Sequence, residues 1–169
     1  MKKVVIISAT SATNLDLSDK LLNILDELDI SSEIINAEEH VLPMFVASAY
    51  ESQKKEYYKT IDFLTKKLIE SSGIIICAPE YNGSIPPIIT NMIAWISVST
   101  DYWRDGFNKK ISLIASSSGG GGAKYFIAMK NQLEHLGSVV MPRGIQISSS
   151  NPLNKESAKK ILKHFINLL

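Results

Sequence analysis

Three short segments concentrate the hydroxyl, amide, aromatic and glycine residues that could do chemistry in this chain. The first is Ser8-Ala9-Thr10-Ser11-Ala12-Thr13-Asn14, set between an apolar β-branched run and a stretch of helical period. Backbone N–H groups at such a turn, the positive end of the helix dipole and the Ser and Thr hydroxyls can together hold a phosphate monoester without a lysine. Ser11, Thr13 or Asn14 could equally be the N-cap of the helix. Neither a Walker pattern nor G-x-G-x-x-G is present, which disfavours nucleoside triphosphate and classical dinucleotide sites. The second segment is Pro79-Glu80-Tyr81-Asn82-Gly83-Ser84-Ile85-Pro86-Pro87. Its prolines and glycine limit the backbone to few turns, and a rigid loop can aim N–H groups at a planar heterocycle at low entropic cost. The alternative is a tight loop with an incidental tyrosine. The third segment, 116–122, holds Ser116, Ser117, Ser118, Gly119 and Gly120, where the backbone is either open to close approach by a ligand or merely flexible.

Other reactive side chains form no constellation. His40, His135 and His164 are scattered without metal-ligand spacing and read as surface or helix-end residues, and no acid–base triad is apparent. Cys77 ends an apolar run, where an inert buried thiol is expected. Tyr102, Trp103 and Phe107 either line a substrate opening or pack across a subunit interface, and the interface is favoured.

The elements that must position these loops follow from hydrophobic period. Residues 4–7, 74–77 and 111–115 are nearly continuous apolar runs, as central parallel strands covered on both faces require, and 32–36 is a weaker run nearer an edge. Between them, 15–28 carries Leu21, Leu22, Leu25 and Leu28 on one face, and 57–69 carries Ile61, Phe63, Leu64, Leu68 and Ile69. Further helices are expected over 88–98, 125–136 and 156–168, with Pro87 opening the first of them. A short fifth strand falls at 139–140 or, as a second choice, 145–147. This β-α alternation predicts an α/β domain spanning 1–169, built on a doubly wound five-stranded parallel sheet. Ligands of such sheets bind beyond the carboxyl ends of the strands. The three segments follow the first, third and fourth strands.

Composition excludes several classes. With 18 basic against 17 acidic residues, a net charge of +1 and one cysteine in 169 residues, there is no broad basic field for nucleic acid, no polybasic membrane anchor and no disulfide framework. The apolar run after Met1-Lys2-Lys3 breaks at Ser8, short of a signal peptide, and no window suits a membrane span, so a cytoplasmic protein is expected.

Pro79 to Ser84, followed by Pro86, Asn91 and Trp95, resembles the P-E-Y-N-x-S-x-P-x-x-x-x-N-x-x-x-W signature of the NADPH-dependent FMN reductase family. The resemblance extends to the first loop, Leu42-Pro43, the glycine-rich fourth loop and Leu136-Gly137. It implies a three-layer flavodoxin-like fold with strand order 2-1-3-4-5, bound FMN, reduction by NADPH or NADH, a small-molecule electron acceptor, and a homodimer or homotetramer. Tyr81, Asn82 and Gly83 would lie against the isoalloxazine ring, Pro79 and Glu80 would shape the turn, and the loop 116–122 would approach the pyrimidine side with its N–H groups. The implied chemistry is a ping-pong exchange in which hydride passes from the nicotinamide to the flavin and electrons then leave to the acceptor, so the protein supplies position and charge.

The chain departs from the family at two places. Ser8-Ala9-Thr10-Ser11 stands where the family has G-S-x-R, so the arginine is missing, and the Ser8, Thr10, Thr13 spacing is instead similar to the flavodoxin phosphate loop. Binding of the FMN phosphate by this loop is still the expectation, with the altered loop leaving its strength open. The family's K-N-x-x-D-W becomes Thr90-Asn91-Met92-Ile93-Ala94-Trp95, without lysine or aspartate. A flavodoxin-like electron carrier is the second reading, and near-zero net charge counts against it because such carriers are usually strongly acidic; a non-catalytic FMN-binding module is the third, kept open by the altered phosphate loop. Arg104 and Arg143 are the only arginines and the candidates for a 2′-phosphate contact.

Overall fold

A computed structural model describes residues 2–169. Its parallel sheet runs in the order β2-β1-β3-β4-β5, with β1 at Lys3–Ser8, β2 at Ser31–Asn36, β3 at Gly73–Cys77, β4 at Ile111–Ser117 and β5 at Val139–Val140. The last position is split. β5 pairs with Ile111 and Ser112, the chain steps away through Pro142 to Gly144, and β6 (Ile145–Ile147) returns to pair with Ala115 to Ser117. Both segments expected to compete for one fifth strand are therefore used, one after the other. Gly144 marks the return because a Cβ there would collide with the Phe126 ring and the Ile114 carbonyl.

Period 2 within the central strands sorts side chains to two layers. Val4, Ile6, Ile75, Cys77, Leu113 and Ala115 pack under α1 (Thr13–Asp26) and α6 (Lys155–Leu168). Val5, Ile7, Ile74, Ile76 and Ile114 face α3 (Tyr58–Glu70), α4 (Pro87–Val98) and α5 (Ala123–His135). The order 2-1-3-4-5 and helices on both faces match the expected flavodoxin-like architecture. One helix was not expected: α2 (Tyr50–Glu56) forms from a polar stretch with no buried residue of its own, so the hydrophobic period gives no signal for it. Phe63 and Ile69, placed on the buried face of α3 by period, are instead 37% and 48% exposed at its margins.

The signature residues outside the loop hold this architecture. Pro87 occupies the first turn of α4, as expected. Asn91 on α4 accepts from Phe45 N–H at 2.8 Å and donates to the carbonyls of Leu42 and Pro43 at 3.1 and 3.0 Å. Trp95 is fully buried and donates its indole N–H to Pro43 at 2.7 Å, with Phe45 edge-on to its ring. The Leu42-Pro43 segment is thus strapped to α4.

The aromatic segment after α4 separates by burial. Tyr102 and Trp103 stay exposed, whereas Phe107 is completely buried and belongs to the core, not to an interface. The segment precedes β4 and packs beside the end of α5, with Trp103 against His135, so it lies at the amino end of the sheet, away from the three loops. Tyr102 and Trp103 therefore do not line an opening at those loops. Among the described residues no helix is long and apolar enough to cross a membrane.

Candidate functional site

The parallel register brings the carboxyl ends of β1, β3 and β4 side by side, with Ser8 opposite Cys77 and Cys77 opposite Ala115. The three loops therefore rise from adjacent strands, and side-chain bonds lock them together.

The first loop turns without a side-chain cap. Ala12 is the N-cap of α1 and no side chain bonds to its first turn, so neither Ser11, Thr13 nor Asn14 takes the capping role allowed for them. Ser8 is fully buried and its hydroxyl donates to Thr10 O at 2.8 Å, which tightens the turn from inside. Thr13 is exposed on the rim and Thr10 is half-buried. Asn14 is 1% exposed, and its amide makes a two-way clamp: Nδ2 donates to Ser117 O at 3.0 Å and Oδ1 accepts from Ser117 N–H at 2.9 Å. Its hydrogen-bonding groups join the first loop to the third.

The second loop owes its shape to Asn82-Gly83. Both have positive φ, 50° and 72°, and Tyr81 and Ser84 exchange backbone hydrogen bonds of 3.1 and 2.9 Å across them. That is the geometry of a type I′ turn, for which Asn-Gly is the preferred pair. The turn's own bonds use the N–H of Tyr81 and of Ser84 and leave those of Asn82 and Gly83 outside the ladder. Tyr81 stands 48% exposed above it. Glu80 reaches the other way: its carboxylate accepts from Lys124 N–H at 2.9 Å and Tyr125 N–H at 3.4 Å. Gly122, the left-handed N-cap of α5, has no side chain to offer, so Glu80 caps the helix from another loop.

In the third loop Ser116 is fully buried and its hydroxyl has no hydrogen-bond partner among the described residues, while Ser118 accepts from Glu80 N–H at 3.4 Å. Gly119 and Gly120 are exposed, with no atom within 4 Å of where a Cβ would stand, so the backbone is open to an incoming group. Gly122 is obligatory: its φ is +76° and a Cβ would sit 2.6 Å from Ser116 Oγ.

Two hollows meet at Tyr81. One of 340 Å³ is lined by Thr10, Ser11, Ala12, Thr13, Asn14, Glu38, Pro79 and Tyr81. The other, of 560 Å³, is lined by Glu80, Tyr81, Asn82, Ser84, Ile85 and Pro87. Glu38 belongs to a fourth loop, beyond the three that sequence singles out. It follows β2, which pairs with β1 in parallel, so its end falls beside the first loop. The signal was available in the strand order, since every strand's carboxyl end faces the same side. A separate hollow of 510 Å³ between β6 and α6 contains Arg143, whose guanidinium donates to Ser157 at 3.1 Å. Arg104 stacks on Trp103 at the opposite end of the sheet. Neither arginine lines the two hollows that share Tyr81.

Cys77 lies directly beneath the site, fully buried, and burial pushes its thiol pKa up to about 12 against the weaker opposing effect of a hydrogen bond with Ser18. A thiol held protonated in this way is not a nucleophile or redox centre at neutral pH.

Comparison with known proteins covers the same region. The NADPH-dependent FMN reductase family profile matches residues 1–151, which include all of the loops above. The Escherichia coli (strain K12) quinone reductase is 31% identical over 102 residues, covering 59% of this chain and 52% of that protein. The chain spans about half the length of the curated relatives it matches. Two solved structures share the fold. The flavoenzyme NAD(P)H:(acceptor) oxidoreductase FerB of Paracoccus denitrificans superposes with a TM-score of 0.75 at 21% identity, over 99% of this chain and 95% of that one. The FMN-dependent NADH-azoreductase of Bacillus anthracis, solved in complex with FMN, gives 0.68 at 19% identity over 99% of both chains. With a profile match over most of its length and the P-E-Y-N-G-S loop at the carboxyl edge of the sheet, the chain belongs to the NADPH-dependent FMN reductase family.

Proposed function

We propose that this protein is an FMN-dependent NAD(P)H oxidoreductase that passes electrons to a small acceptor such as a quinone or a free flavin. The observation that carries the reading is the locked loop cluster: Asn14 clamps the first loop to the third, and Glu80 clamps the second to α5. A flat heterocycle needs such walls held at fixed spacing before it arrives, because ordering three loops on binding would consume much of the affinity.

The residues fit FMN. The uncapped first turn of α1 and the hydroxyls of Thr10, Ser11 and Thr13 suit its phosphate, with Ser8 and Asn14 holding the loop from behind. Tyr81, Asn82, Gly83 and Ser84 would contact the ring, with Pro79 and Glu80 fixing their turn, and the backbone of Ser117, Ser118, Gly119 and Gly120 would approach it from the third loop, which lines neither hollow, with Ser116 buried beneath. FMN held there would supply the redox chemistry, hydride acceptance from NADPH or NADH and two-electron donation to the acceptor, with one exposed face serving both substrates in turn. The chain's own part is electrostatic and steric. N–H groups of Asn82 and Gly83 lie outside the turn's ladder and can donate to a polar ring edge, and the open Gly119-Gly120 backbone can donate where negative charge accumulates. Tyr81, exposed between the two hollows, would shield one margin of the ring from water. In this reading the chain is one domain, residues 1–169, that works in the cytoplasm as a homodimer or homotetramer.

The test is spectroscopic. Purified protein incubated with FMN should bleach on addition of NADPH or NADH and recover its colour on addition of a quinone. Tyr81→Ala should weaken flavin binding or slow bleaching by about tenfold, the scale of one stacked aromatic contact. Flavin that binds but is reduced only by a protein partner would favour the electron-carrier reading, and a protein that binds no flavin would defeat both.

A further inference from the structure

The turn after β2 places a carboxylate on a donor that a flavin phosphate would need. Glu38 Oε2 accepts from Ser11 N–H at 2.7 Å, in the middle of the first loop. The contact is built from several sides. Asn36 Oδ1 accepts from Glu38 N–H at 3.2 Å, and Asn36 Nδ2 donates to Ser11 Oγ at 2.9 Å and to Glu39 Oε1 at 3.1 Å. Asn36 is itself buried, at 7% exposure, so the turn and the loop share a fixed hinge point. Hydrogen bonds from the Ser11 hydroxyl and backbone hold the Glu38 carboxyl below its ordinary range, keeping it ionised at neutral pH. Neither lysine nor arginine lines that hollow to offset the charge.

We propose that Glu38 is an internal competitor for the phosphate-binding loop, a specificity-determining residue that loosens FMN relative to flavins lacking a phosphate and so keeps FMN exchangeable. The inference rests on the flavin reading of this site. A carboxylate and a phosphate cannot both take the single Ser11 N–H, and they repel at contact. Either Glu38 leaves Ser11 or the phosphate goes without that donor. The cost falls on the phosphate alone, because Glu38 lines the hollow at the first loop and is absent from the one between Glu80 and Pro87.

Glu38 is exposed, so its replacement leaves the core untouched. FMN and riboflavin are titrated in parallel, by quenching of flavin fluorescence, into the wild type, Glu38→Gln and Glu38→Ala. The glutamine keeps an acceptor for Ser11 and removes only the charge. Repulsion between contacting charges at a solvated surface is worth roughly tenfold in affinity. The Kd for FMN should therefore fall about tenfold in both variants, while that for riboflavin moves less than about twofold. An FMN affinity that is unchanged, weakened, or shifted equally with that of riboflavin overturns the assignment while leaving the flavin site standing. Failure of the wild type and both variants to bind either flavin overturns the flavin reading and this one with it.

Discussion

Asn14 offers the sharpest test of how the loops are held, through a one-atom exchange. In Asn14→Asp the oxygen that accepts from Ser117 N–H at 2.9 Å is kept, but the Nδ2 that donates to Ser117 O at 3.0 Å becomes a second oxygen. The side chain is 1% exposed, so water cannot replace the lost donor. One unsatisfied carbonyl costs about 1–3 kcal/mol, and burial of an unpaired charge adds to it, giving about 3 kcal/mol at neutral pH. With a urea dependence near 2 kcal/mol per molar, the unfolding midpoint should fall by about 1.5 M. Protonation restores a donor, which makes the defect dependent on pH. Burial raises the introduced carboxyl's folded pKa above its unfolded value of about 3.9. Its contribution is therefore favourable below the unfolded value and is lost as pH rises through the folded one. Urea unfolding of wild type and variant at pH 4.5 and 7.5 measures the gap at each. A gap that narrows in acid supports the clamp, whereas the same gap at both pH values, or one under about 0.5 kcal/mol at pH 7.5, refutes it. Flavin affinity should fall alongside stability, since the first and third loops lose their tie.

Two further outcomes are expected elsewhere in the fold. Glu33 on β2 pairs with Lys3 and Lys67 at 2.9 and 2.5 Å; burial opposes its ionisation, but the hydrogen bonds from Lys67 and Lys3 outweigh it and leave its pKa below the ordinary 4.5. Its stabilisation is thus present above the unfolded pKa and is lost as pH falls through the folded value, so Glu33→Gln should cost about 1 kcal/mol at pH 7 and progressively less in acid, by denaturant titration. Cys77, whose thiol pKa is raised to about 12, should resist aromatic disulfide reagents at pH 8 and be labelled only at the rate of global unfolding; rapid labelling of native protein would show that it is not sealed beneath the loops.

How far the chain could be read without coordinates depended on whether the signal was local. Continuous runs such as Ile74 to Cys77 must be buried on both faces, and that demand alone argues for a parallel sheet with helices above and below. Pro79, Gly83, Pro86 and Pro87 mark the second loop as a tight turn, and the structure adds its type I′ form at Asn82-Gly83. Likewise Pro87 at the start of α4 follows from its fixed φ and missing N–H. The polar helix α2 and the divided fifth strand were less legible: the first has no buried face, and the second is decided by what Gly144 must avoid.

Partnerships between distant residues were not in the sequence at all. Asn14 looks like a helix cap until β4 brings Ser117 beside it, 103 positions later. Glu80 looks like part of a turn until α5 presents two N–H groups to it, and Phe107 looks like an interface aromatic until the core closes over it. Glu38 carries no distinction in the chain and acquires one only because β2 lies next to β1, which sets its carboxylate on Ser11. Sequence by itself determined the layers and the chemical character of each loop, since period, chirality and turn propensity act within a few residues. Tertiary structure alone decided which polar atoms remain free for a ligand, because a donor's availability depends on which acceptor the rest of the fold brings to it.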